Sequence, residues 1–405
     1  MPKLAVNGGT PVRKEPFPSW PQWTDAERRN LLEVLESGKW FRFAGQKVAE
    51  FERRFGEYHG GKYALAVSSG TAALETAMAA LGVGPGDEVI VPCYTFVATA
   101  TAVIHAGATP VYADIRLDDL NIDLKSVESL ITPRTKGIIV VHFGGCPCDM
   151  DAVLALAEER GLWVVEDAAH AHGGKWAGKG LGSIGNAAGF SFQNSKNITA
   201  GEGGLFMTND EALMNRAFSF HSYGQRTGYP WYSHHIVSRN LRMTEWQGAI
   251  LLAQLERLEE QTKLRLANAR RLDAAIAATP GLEVVGSSDP RAAERAYHLY
   301  QFRYASGFPG VTRAQFLKAL SAEGVPCSAG YPVPLYKQPF MEEVKPPQGQ
   351  GAYRDLNLPN AEAACRENIW LPHSLLLGTE RDTQDIIDAI QKLAENVDEL
   401  RSVAA

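Results

Sequence analysis

One lysine stands in a sequence context that suits chemistry. Lys196 follows the strand-like alternation of Phe190, Ser191 and Phe192 in FSFQNSKNITAGEGG, and a glycine-rich run comes directly after it. A lysine in water is a protonated ammonium and a poor nucleophile, so it needs partners that lower its pKa or hold a carbonyl group against it. The rest of the chain has to supply those partners.

The segment SSGTAALETAMAAL (68–81) offers a place for an anion. A strand leads into Ser68, Ser69 and Gly70, and Thr71 opens a helix. Backbone N–H groups and a hydroxyl therefore converge at the positive end of a helix dipole, where a phosphate can bind. A plain helix cap is the alternative, because Ser and Thr also cap helices well.

A carboxylate, Asp167, stands where the apolar strand of VVEDAAHAHGG (164–174) ends. Ligands bind at this edge of an open α/β sheet, so Asp167 is a candidate partner for a ring nitrogen. His170 and His172 follow it closely. The alternatives are an N-cap for Asp167 and ordinary hydrogen bonding for the histidines, since two histidines without a third ligand are weak support for a metal site.

Together these residues predict a site for pyridoxal 5′-phosphate. Its phosphate would meet Gly70 and Thr71, and its flat ring would meet Tyr94 and Phe96. Its pyridine nitrogen would meet Asp167, and its aldehyde would meet Lys196. The carboxylate keeps the pyridine nitrogen protonated, which makes the ring an electron sink, and the lysine holds the aldehyde as a Schiff base.

Two other patterns do not predict binding sites. The segment GLGSIG (180–185) fits the dinucleotide fingerprint, but it follows no apolar strand and leads into the strand-like NAAGFSF, so we interpret it as a turn between strands. Five cysteines, with only Cys146 and Cys148 close together, lack the second ligand pair of a zinc site. Reduced cysteines without a metal are therefore favoured.

The elements that must position these residues alternate between strand and helix. Short β-branched runs and helical stretches follow one another from YALAV (63–67) to LWVVEDA (162–168), which is typical of a mostly parallel α/β sheet covered on both faces. From about Ala187 the strands come closer together. A long amphipathic segment after Met243 predicts a linker helix or helices, and a compact α+β unit follows, which ends in a C-terminal helix over QDIIDAIQKLAENVDEL. We predict an N-terminal arm at 1–24, a large domain at 25–255, and the linker with a small domain at 256–405.

Composition excludes several classes of protein. The chain has 405 residues, 21% of them charged, and a net charge of −6, so it has no basic surface that would suit nucleic acid. The proline-dotted N-terminus lacks the apolar core of a signal peptide, and a cytoplasmic location is expected. The stretch 89–113 carries no formal charge apart from any on His105, but Pro92, Gly107 and Pro110 interrupt it. It predicts strand, loop, buried helix and strand rather than a membrane span.

The ordered motifs resemble those of the DegT/DnrJ/EryC1/StrS family, the sugar and cyclitol aminotransferases that use pyridoxal phosphate and have fold type I. The resemblance covers nearly the whole chain, through SSGTAAL, DEVIVPCYTFVATA, VHFGGCPCDMDA, VVEDAAHAHG, FSFQNSKNITAGEGG and NLRMTEWQGAILLAQL. It implies a large domain with a mostly parallel sheet and a smaller C-terminal α+β domain.

The resemblance also implies a role for each site residue. In the family pattern the lysine of the Schiff base falls on Lys196 and the carboxylate at the ring nitrogen falls on Asp167. The phosphate is bound by Gly70, Thr71 and Ser191. Two further positions, Phe96 and His170, fall against the cofactor ring, with Phe96 stacked on it and His170 near its 3′-oxygen. Asn240 would reach the phosphate of a neighbouring subunit, which implies a homodimer with shared active sites.

The function implied is transamination. Glutamine or glutamate would load the cofactor as pyridoxamine 5′-phosphate, which then aminates a keto group of a sugar or cyclitol. Members that act on nucleotide-linked sugars typically read F-S-F-H and D-x-x-Q, whereas this chain has Gln193 and His170 at the last positions of these motifs. This combination is more similar to that of 3-amino-5-hydroxybenzoate synthases and cyclitol aminotransferases. The aromatising loss of water that such synthases perform is an open alternative. A pyridoxamine-dependent sugar dehydratase is disfavoured, because those members replace the lysine with histidine. A DNA-binding regulator is also disfavoured, because the arm before Asp25 is too short for a second domain.

Overall fold

Strands and helices alternate through the first half of the chain, as the sequence predicts. The computed structural model describes residues 3–226, 228–230 and 232–404. Its strands are β1 (Tyr63–Val67), β2 (Glu88–Pro92), β3 (Thr109–Ala113), β4 (Thr135–Val141), β5 (Trp163–Asp167), β6 (Lys175–Trp176), β7 (Lys179–Gly180), β8 (Ala187–Ser191), β9 (Gly204–Thr208), β10 (Glu283–Val284), β11 (Leu299–Arg303) and β12 (Asn368–Pro372). Its α-helices are α1 (Asp25–Ser37), α2 (Lys47–His59), α3 (Gly70–Leu81), α4 (Ala98–His105), α5 (Leu124–Leu130), α6 (Met150–Arg160), α7 (Glu211–His221), α8 (Glu245–Ala277), α9 (Arg313–Ala322), α10 (Pro359–Glu367), α11 (Glu380–Glu395) and α12 (Val397–Arg401).

Seven strands form the central sheet in the order β1-β9-β8-β5-β4-β2-β3. The pairs β2–β3, β2–β4, β4–β5 and β5–β8 are parallel, whereas β9 runs antiparallel to both of its neighbours. Strands β2, β8 and β9 are buried along their whole length, and apart from polar residues at one end they do not alternate between apolar and polar residues. The mostly parallel α/β sheet predicted from the sequence is confirmed.

The uncharged stretch 89–113 forms β2, α4 and β3, so the prediction of strand, loop, buried helix and strand is correct. Among the described residues, no helix has the length and apolar character needed to cross a membrane. The segment 180–185 ends β7 and forms a turn before β8, as expected from the absence of a helix after it.

The long amphipathic segment is one continuous helix, α8, of 33 residues. Its first half packs on α1 and α2, and its second half packs on α11 and on a short 3-10 helix at His373–Leu377. Beyond it lies a three-stranded antiparallel sheet in the order β10-β11-β12, with its own apolar core. The boundary expected between residues 255 and 256 falls inside α8, and the division into domains stays a prediction.

The C-terminal segment QDIIDAIQKLAENVDEL forms two helices instead of the single helix expected. Asn396 lies between α11 and α12 with φ −117° and ψ 39°, outside the helical region. Its side-chain amide donates a hydrogen bond to the carbonyl of Lys392 (2.7 Å), so the side chain occupies a backbone acceptor at the end of α11. The N-terminal arm packs on this part of the chain, with Leu4 fully buried in the apolar core around the three-stranded sheet.

Candidate active site

A cavity of about 620 Å³ lies at the carboxyl edge of the central sheet. Seven of the residues predicted from the sequence line it, and they are Gly70, Thr71, Phe96, Asp167, His170, Ser191 and Lys196. They come from the ends of different strands, because the carboxyl ends of parallel strands meet at the same edge. Asn240 is exposed and does not line the cavity of its own chain.

One end of the cavity is the N-terminus of α3. Ser69 caps this helix, with its hydroxyl accepting from the N–H of Ala72 (3.0 Å) and its carbonyl accepting from Ala73 (3.0 Å). The N–H groups of Gly70 and Thr71 are left without an acceptor inside the described part of the chain. A Cβ at Gly70 would stand 2.7 Å from the Cβ of Ser191, so only glycine lets the serine hydroxyl approach these N–H groups.

Asp167 lies at the end of β5, beneath the cavity floor. Its carboxylate accepts hydrogen bonds from the Thr99 hydroxyl (2.7 Å) and from the N–H of Ala169 (3.2 Å). Burial raises the pKa of Asp167, and the bond from Thr99 offsets this rise in part. A cation placed at the carboxylate would relieve the cost of burying its charge. Thr99, on α4, was missed from the sequence because no local motif joins it to Asp167.

Lys196 reaches the cavity from the loop that follows β8. Burial lowers the pKa of its ammonium to about 8, although the nearby Asp167 carboxylate acts in the opposite direction. A larger share of this lysine is therefore neutral near pH 8 than of a lysine in water, and the neutral amine is the nucleophile. The environment required of Lys196 by the sequence argument is present.

Gln193 lies in the same loop and shapes it. Its side-chain oxygen accepts from both the N–H and the hydroxyl of Ser195 (2.8 Å each), one residue before Lys196. Asn197, one residue after the lysine, is fully buried and donates to the carbonyl of Ala296 (2.8 Å). The backbone on both sides of Lys196 is thus held in place.

The two histidines of VVEDAAHAHGG have different surroundings. His170 lines the cavity, and its Nδ1 accepts from the N–H of Gly144 (3.2 Å), so in the neutral ring the proton lies on Nε2. His172 is fully buried and packs near Phe55, Phe190 and Phe192, with ring centroids 5.6–6.4 Å apart. His172 is therefore part of the core.

The two aromatic residues proposed for the ring also differ. Phe96 lines the cavity and is 55% exposed in the single chain. Tyr94 does not line it, because its ring is buried and packs edge-on against Phe143 and Tyr331 (5.1 and 5.6 Å). Tyr94 therefore does not line the cavity, contrary to the aromatic cluster expected from the sequence. Phe96 does line it, and its stacking on the ring stays a prediction.

The cavity has a second wall, which the sequence argument did not identify. It comes from the ends of β11 and β12 and from the segment between α9 and α10, and its side chains include His298, Tyr331, Trp370 and His373. Their segments, YHLY, GYP and IWLPH, carry aromatic and histidine residues beside strands. This enrichment was the available signal, but it does not reveal which of these side chains face the residues at the edge of the central sheet.

Three imidazoles are arranged in a column across the cavity. The ring centroid of His298 lies 4.2 Å from that of His170 and 5.9 Å from that of His373, with interplanar angles near 30°. Burial lowers the pKa of each ring well below its usual value. Lys196 contributes to the lowering at His170, the His170 ring contributes at His298, and the Arg265 guanidinium contributes at His373. The column is therefore uncharged at neutral pH.

The residues present fit pyridoxal 5′-phosphate. The free N–H groups of Gly70 and Thr71 with the Ser191 hydroxyl suit a phosphate, and the buried Asp167 carboxylate suits a protonated ring nitrogen. Lys196 opens into the same cavity and supplies the amine that the aldehyde requires. Within the described residues, no group of three histidine, cysteine or acidic side chains is placed to hold a metal ion.

Comparisons with known proteins give consistent relatives. The sequence profile of the DegT/DnrJ/EryC1/StrS aminotransferase family matches residues 21–391. The chain is 38% identical over 391 residues to the 3-amino-5-hydroxybenzoate synthase of Amycolatopsis mediterranei (strain S699), which covers 94% of this chain and 99% of the relative. It is also 38% identical over 423 residues to the L-glutamine:2-deoxy-scyllo-inosose aminotransferase of Micromonospora echinospora, with 99% and 100% covered. The crystal structure of a 3-amino-5-hydroxybenzoic acid synthase matches with a TM-score of 0.86 and 36% identity, covering 94% of this chain and 100% of that one.

Proposed function

Because the chain belongs to the DegT/DnrJ/EryC1/StrS aminotransferase family, we propose that it binds pyridoxal 5′-phosphate and aminates a keto group of a sugar or cyclitol. The amino donor is glutamine or glutamate. The observation that carries the proposal is the cavity itself, where a lysine with a lowered pKa opens toward a buried carboxylate and a helix N-terminus. The printed name of the relative from Micromonospora echinospora gives glutamine as donor and a keto-cyclitol as acceptor, which supports both choices.

Each residue has a separate task in this reaction. Gly70, Thr71 and Ser191 hold the phosphate through N–H and O–H donors. Asp167 holds a proton on the pyridine nitrogen, and Thr99 keeps the carboxylate oriented through its hydrogen bond. The cofactor, when bound, supplies an electron sink for the negative charge that develops at the donor's α-carbon.

Lys196 has two tasks. Its amine would hold the cofactor through the aldehyde, and as a free amine it would carry a proton to or from the donor's α-carbon. An amine with a pKa of about 8 suits proton transfer near neutral pH, because neither protonation state is strongly disfavoured there. With its proton on Nε2, His170 would donate a hydrogen bond to the 3′-oxygen, and Phe96 would stack on the ring.

We further propose that the active enzyme is a homodimer in which Asn240 binds the phosphate in the other subunit's site. Asn240, which follows Arg239, is exposed in the single chain, and its backbone forms an isolated antiparallel β-bridge with Ser222. Exposed Tyr223, Tyr229 and Val237 in the same segment suit contact with a second copy. The cytoplasmic location stays a prediction from the sequence.

The test is a reaction with defined partners. Purified enzyme with pyridoxal phosphate is incubated with glutamine or glutamate and a panel of free keto-cyclitols and keto-sugars, and products are detected by mass. Formation of an amine together with the donor's keto acid supports the proposal, and Lys196→Ala is the matched inactive control. Loss of water to an aromatic amine would instead identify the synthase-like alternative, which the relative from Amycolatopsis mediterranei favours.

A further inference from the structure

Trp370 occupies an unusual position in the second wall of the cavity. Its indole packs on Gly330, where an added Cβ would lie 2.7 Å from the Trp370 Cε2 atom and 2.9 Å from its Nε1 atom. Gly330 has φ +69°, a left-handed conformation that favours glycine. The space that a side chain at residue 330 would occupy is therefore taken by the indole of Trp370.

The backbone of Trp370 is held from both sides. Trp370 of β12 pairs with Gln301 of β11. The Trp370 N–H donates to the carbonyl of Ser328 (2.9 Å), and the Trp370 carbonyl accepts from the N–H of Ser328 (3.0 Å). The indole also lies edge-on to Tyr331, with ring centroids 4.8 Å apart, and 6.0 Å from Phe143. A wall residue fixed in this way keeps one position relative to the large domain.

The orientation of the indole determines what it presents to a ligand. Its only polar atom, Nε1, is buried and has no hydrogen-bond partner within the described residues. Because Nε1 lies on the Gly330 side, the half-buried ring offers the cavity an apolar surface and no hydrogen bond. Trp370 therefore selects a ligand by shape and apolar contact.

The polar groups beside Trp370 are uncharged. His298 and His373 line the same wall, and burial keeps both rings neutral at neutral pH. A neutral imidazole has one donor and one acceptor nitrogen, which matches a hydroxyl group. A six-membered polyol ring has apolar C–H groups on its faces and hydroxyls at its rim, so it complements an apolar wall bordered by neutral imidazoles.

The cavity of about 620 Å³ has room for the cofactor and a small ring together, since pockets of about 300–1,000 Å³ are usual for a small ligand. The cavity is partly open to solvent, so a larger acceptor would have to extend outside it.

We propose that Trp370, seated on Gly330, is the specificity-determining residue of the acceptor site and restricts it to a small, free polyhydroxylated ring ketone rather than a nucleotide-linked one. This inference rests on the proposed function. It adds a residue and an acceptor class to that function.

The experiment compares holoenzyme variants in separate half-reactions. The donor half-reaction with glutamine is followed by the change in cofactor absorbance. The acceptor side is measured as binding and turnover of two probes, 2-deoxy-scyllo-inosose as the free ring and a TDP-linked keto-hexose as the nucleotide-linked one. The variants are Trp370→Ala, Trp370→Phe, Gly330→Ala and the double variant Gly330→Ala with Trp370→Ala. The cofactor absorbance and the thermal Tm of each holoenzyme variant serve as the check on folding and cofactor binding.

We expect Trp370→Ala to lower kcat/KM for the free ring by about tenfold or more, the loss of one good apolar contact, and to slow the donor half-reaction by a clearly smaller factor, because glutamine enters the same cavity. The ratio of nucleotide-linked to free-ring binding should rise by a similar factor, with Trp370→Phe in between. Gly330→Ala should displace the indole and act like Trp370→Ala. Its effect on the acceptor should largely disappear in the double variant, since the contact it disturbs is then absent.

Several results would overturn the inference. One is an equal loss in both half-reactions of Trp370→Ala. Another is an unchanged ratio of nucleotide-linked to free-ring binding. A third is that the effects of Gly330→Ala and Trp370→Ala on the acceptor add in the double variant. Wild-type holoenzyme that binds the TDP-linked probe more tightly than the free ring, or binds neither probe, would also overturn it while leaving transamination intact. A wild-type enzyme that fails in the donor half-reaction with both glutamine and glutamate instead overturns the proposed function, and this inference with it.

Discussion

At the scale of single residues, the buried carboxylate of Asp167 carries the greatest electrostatic cost in the site. It is 5% exposed, and in the protein alone its hydrogen-bond donors are the Thr99 hydroxyl and one backbone N–H, both neutral. Removing a carboxylate from water is costly, and the raised pKa of Asp167 shows that its hydrogen bonds and the nearby Lys196 do not fully offset that cost. A protonated ring nitrogen would supply the missing positive charge.

Asp167→Asn should therefore fold but transaminate about 100- to 1,000-fold more slowly, the usual cost of removing a preorganised electrostatic partner. An amide cannot hold the pyridinium proton by charge. The measurement is single-turnover conversion of the cofactor by glutamine. Asp210→Asn is the matched control, because Asp210 caps α7 through the N–H groups of Ala212 and Leu213 and Asn caps about as well. Normal turnover in both variants would remove Asp167 from the site.

Lys196 predicts a pH dependence. With a pKa lowered to about 8 by burial, the apoenzyme lysine is protonated below that pH and neutral above it. The rate at which apoenzyme captures pyridoxal phosphate should rise about tenfold per pH unit below pH 8 and level off above it, because only the neutral amine attacks. Stopped-flow absorbance measures this rate, with Lys196→Ala as the blank. A rate that keeps rising to pH 10 would indicate an ordinary lysine.

At the scale of elements, the turn at 180–185 binds a carboxylate of the protein itself, although its sequence fits the dinucleotide fingerprint. The N–H groups of Gly182, Ile184 and Gly185 all donate to the fully buried carboxylate of Glu166 (2.6–2.8 Å), which also contacts His142 (2.9 Å). Burial alone raises the pKa of Glu166, but these partners more than offset it and the pKa is lowered. The turn binds an internal anion and ties β5 to the start of β8.

Glu166→Gln should lower the free energy of unfolding by about 1–3 kcal/mol, since the amide offers one acceptor oxygen in place of two and leaves buried N–H donors without a partner. The measure is the thermal Tm at pH 7, compared with Glu294→Gln, whose exposed pair with Lys175 is expected to contribute about 0–1 kcal/mol. The pKa of Glu166 is lowered in the folded state, so its contribution is present above the unfolded pKa and is lost as the pH falls. The Tm gap between Glu166→Gln and wild type should therefore narrow on acidification, and a gap that stays constant would contradict this account.

The elements that place Asp167 and the N-terminus of α3 at the cavity were predictable because their sequence signals are local. The apolar run of β5 ends at Asp167, and Ser69 caps α3 within two residues of Thr71. Trp370 and His298 were not predictable as site residues, since their position depends on how β11 and β12 pack against a distant part of the chain. The break at Asn396 was missed for another reason, because the apolar periodicity continues through it.

At the scale of the whole molecule, the incomplete part of the proposed site is the phosphate end. Gly70, Thr71 and Ser191 line it from one chain, whereas Asn240 is exposed and lies outside the cavity. If a second copy supplies Asn240, two inactive variants, Lys196→Ala and Asn240→Ala, should complement when refolded together. A mixed dimer then has one site with both residues intact, so random assortment should restore about 25% of wild-type turnover.

Refolding Lys196→Ala with Asp167→Asn provides the matched control. Both of these residues line the cavity of their own chain, so no mixed dimer contains an intact site and no activity should return. Tagged subunits verify that exchange takes place. Verified exchange without recovery in the Asn240 pair, when Asn240→Ala alone is impaired, would exclude the shared site.

The origin of the second wall has a consequence for the newly made chain. Trp370 follows Lys196 by about 170 residues. At about 5–20 residues per second, a ribosome needs roughly 10–35 s to travel that distance. During this interval the nascent chain already carries the lysine and the carboxylate but not the indole of Trp370 or the imidazole of His373. A cofactor captured early would therefore be open to any amine or carbonyl compound in solution, and selectivity would begin only when the last strand is translated.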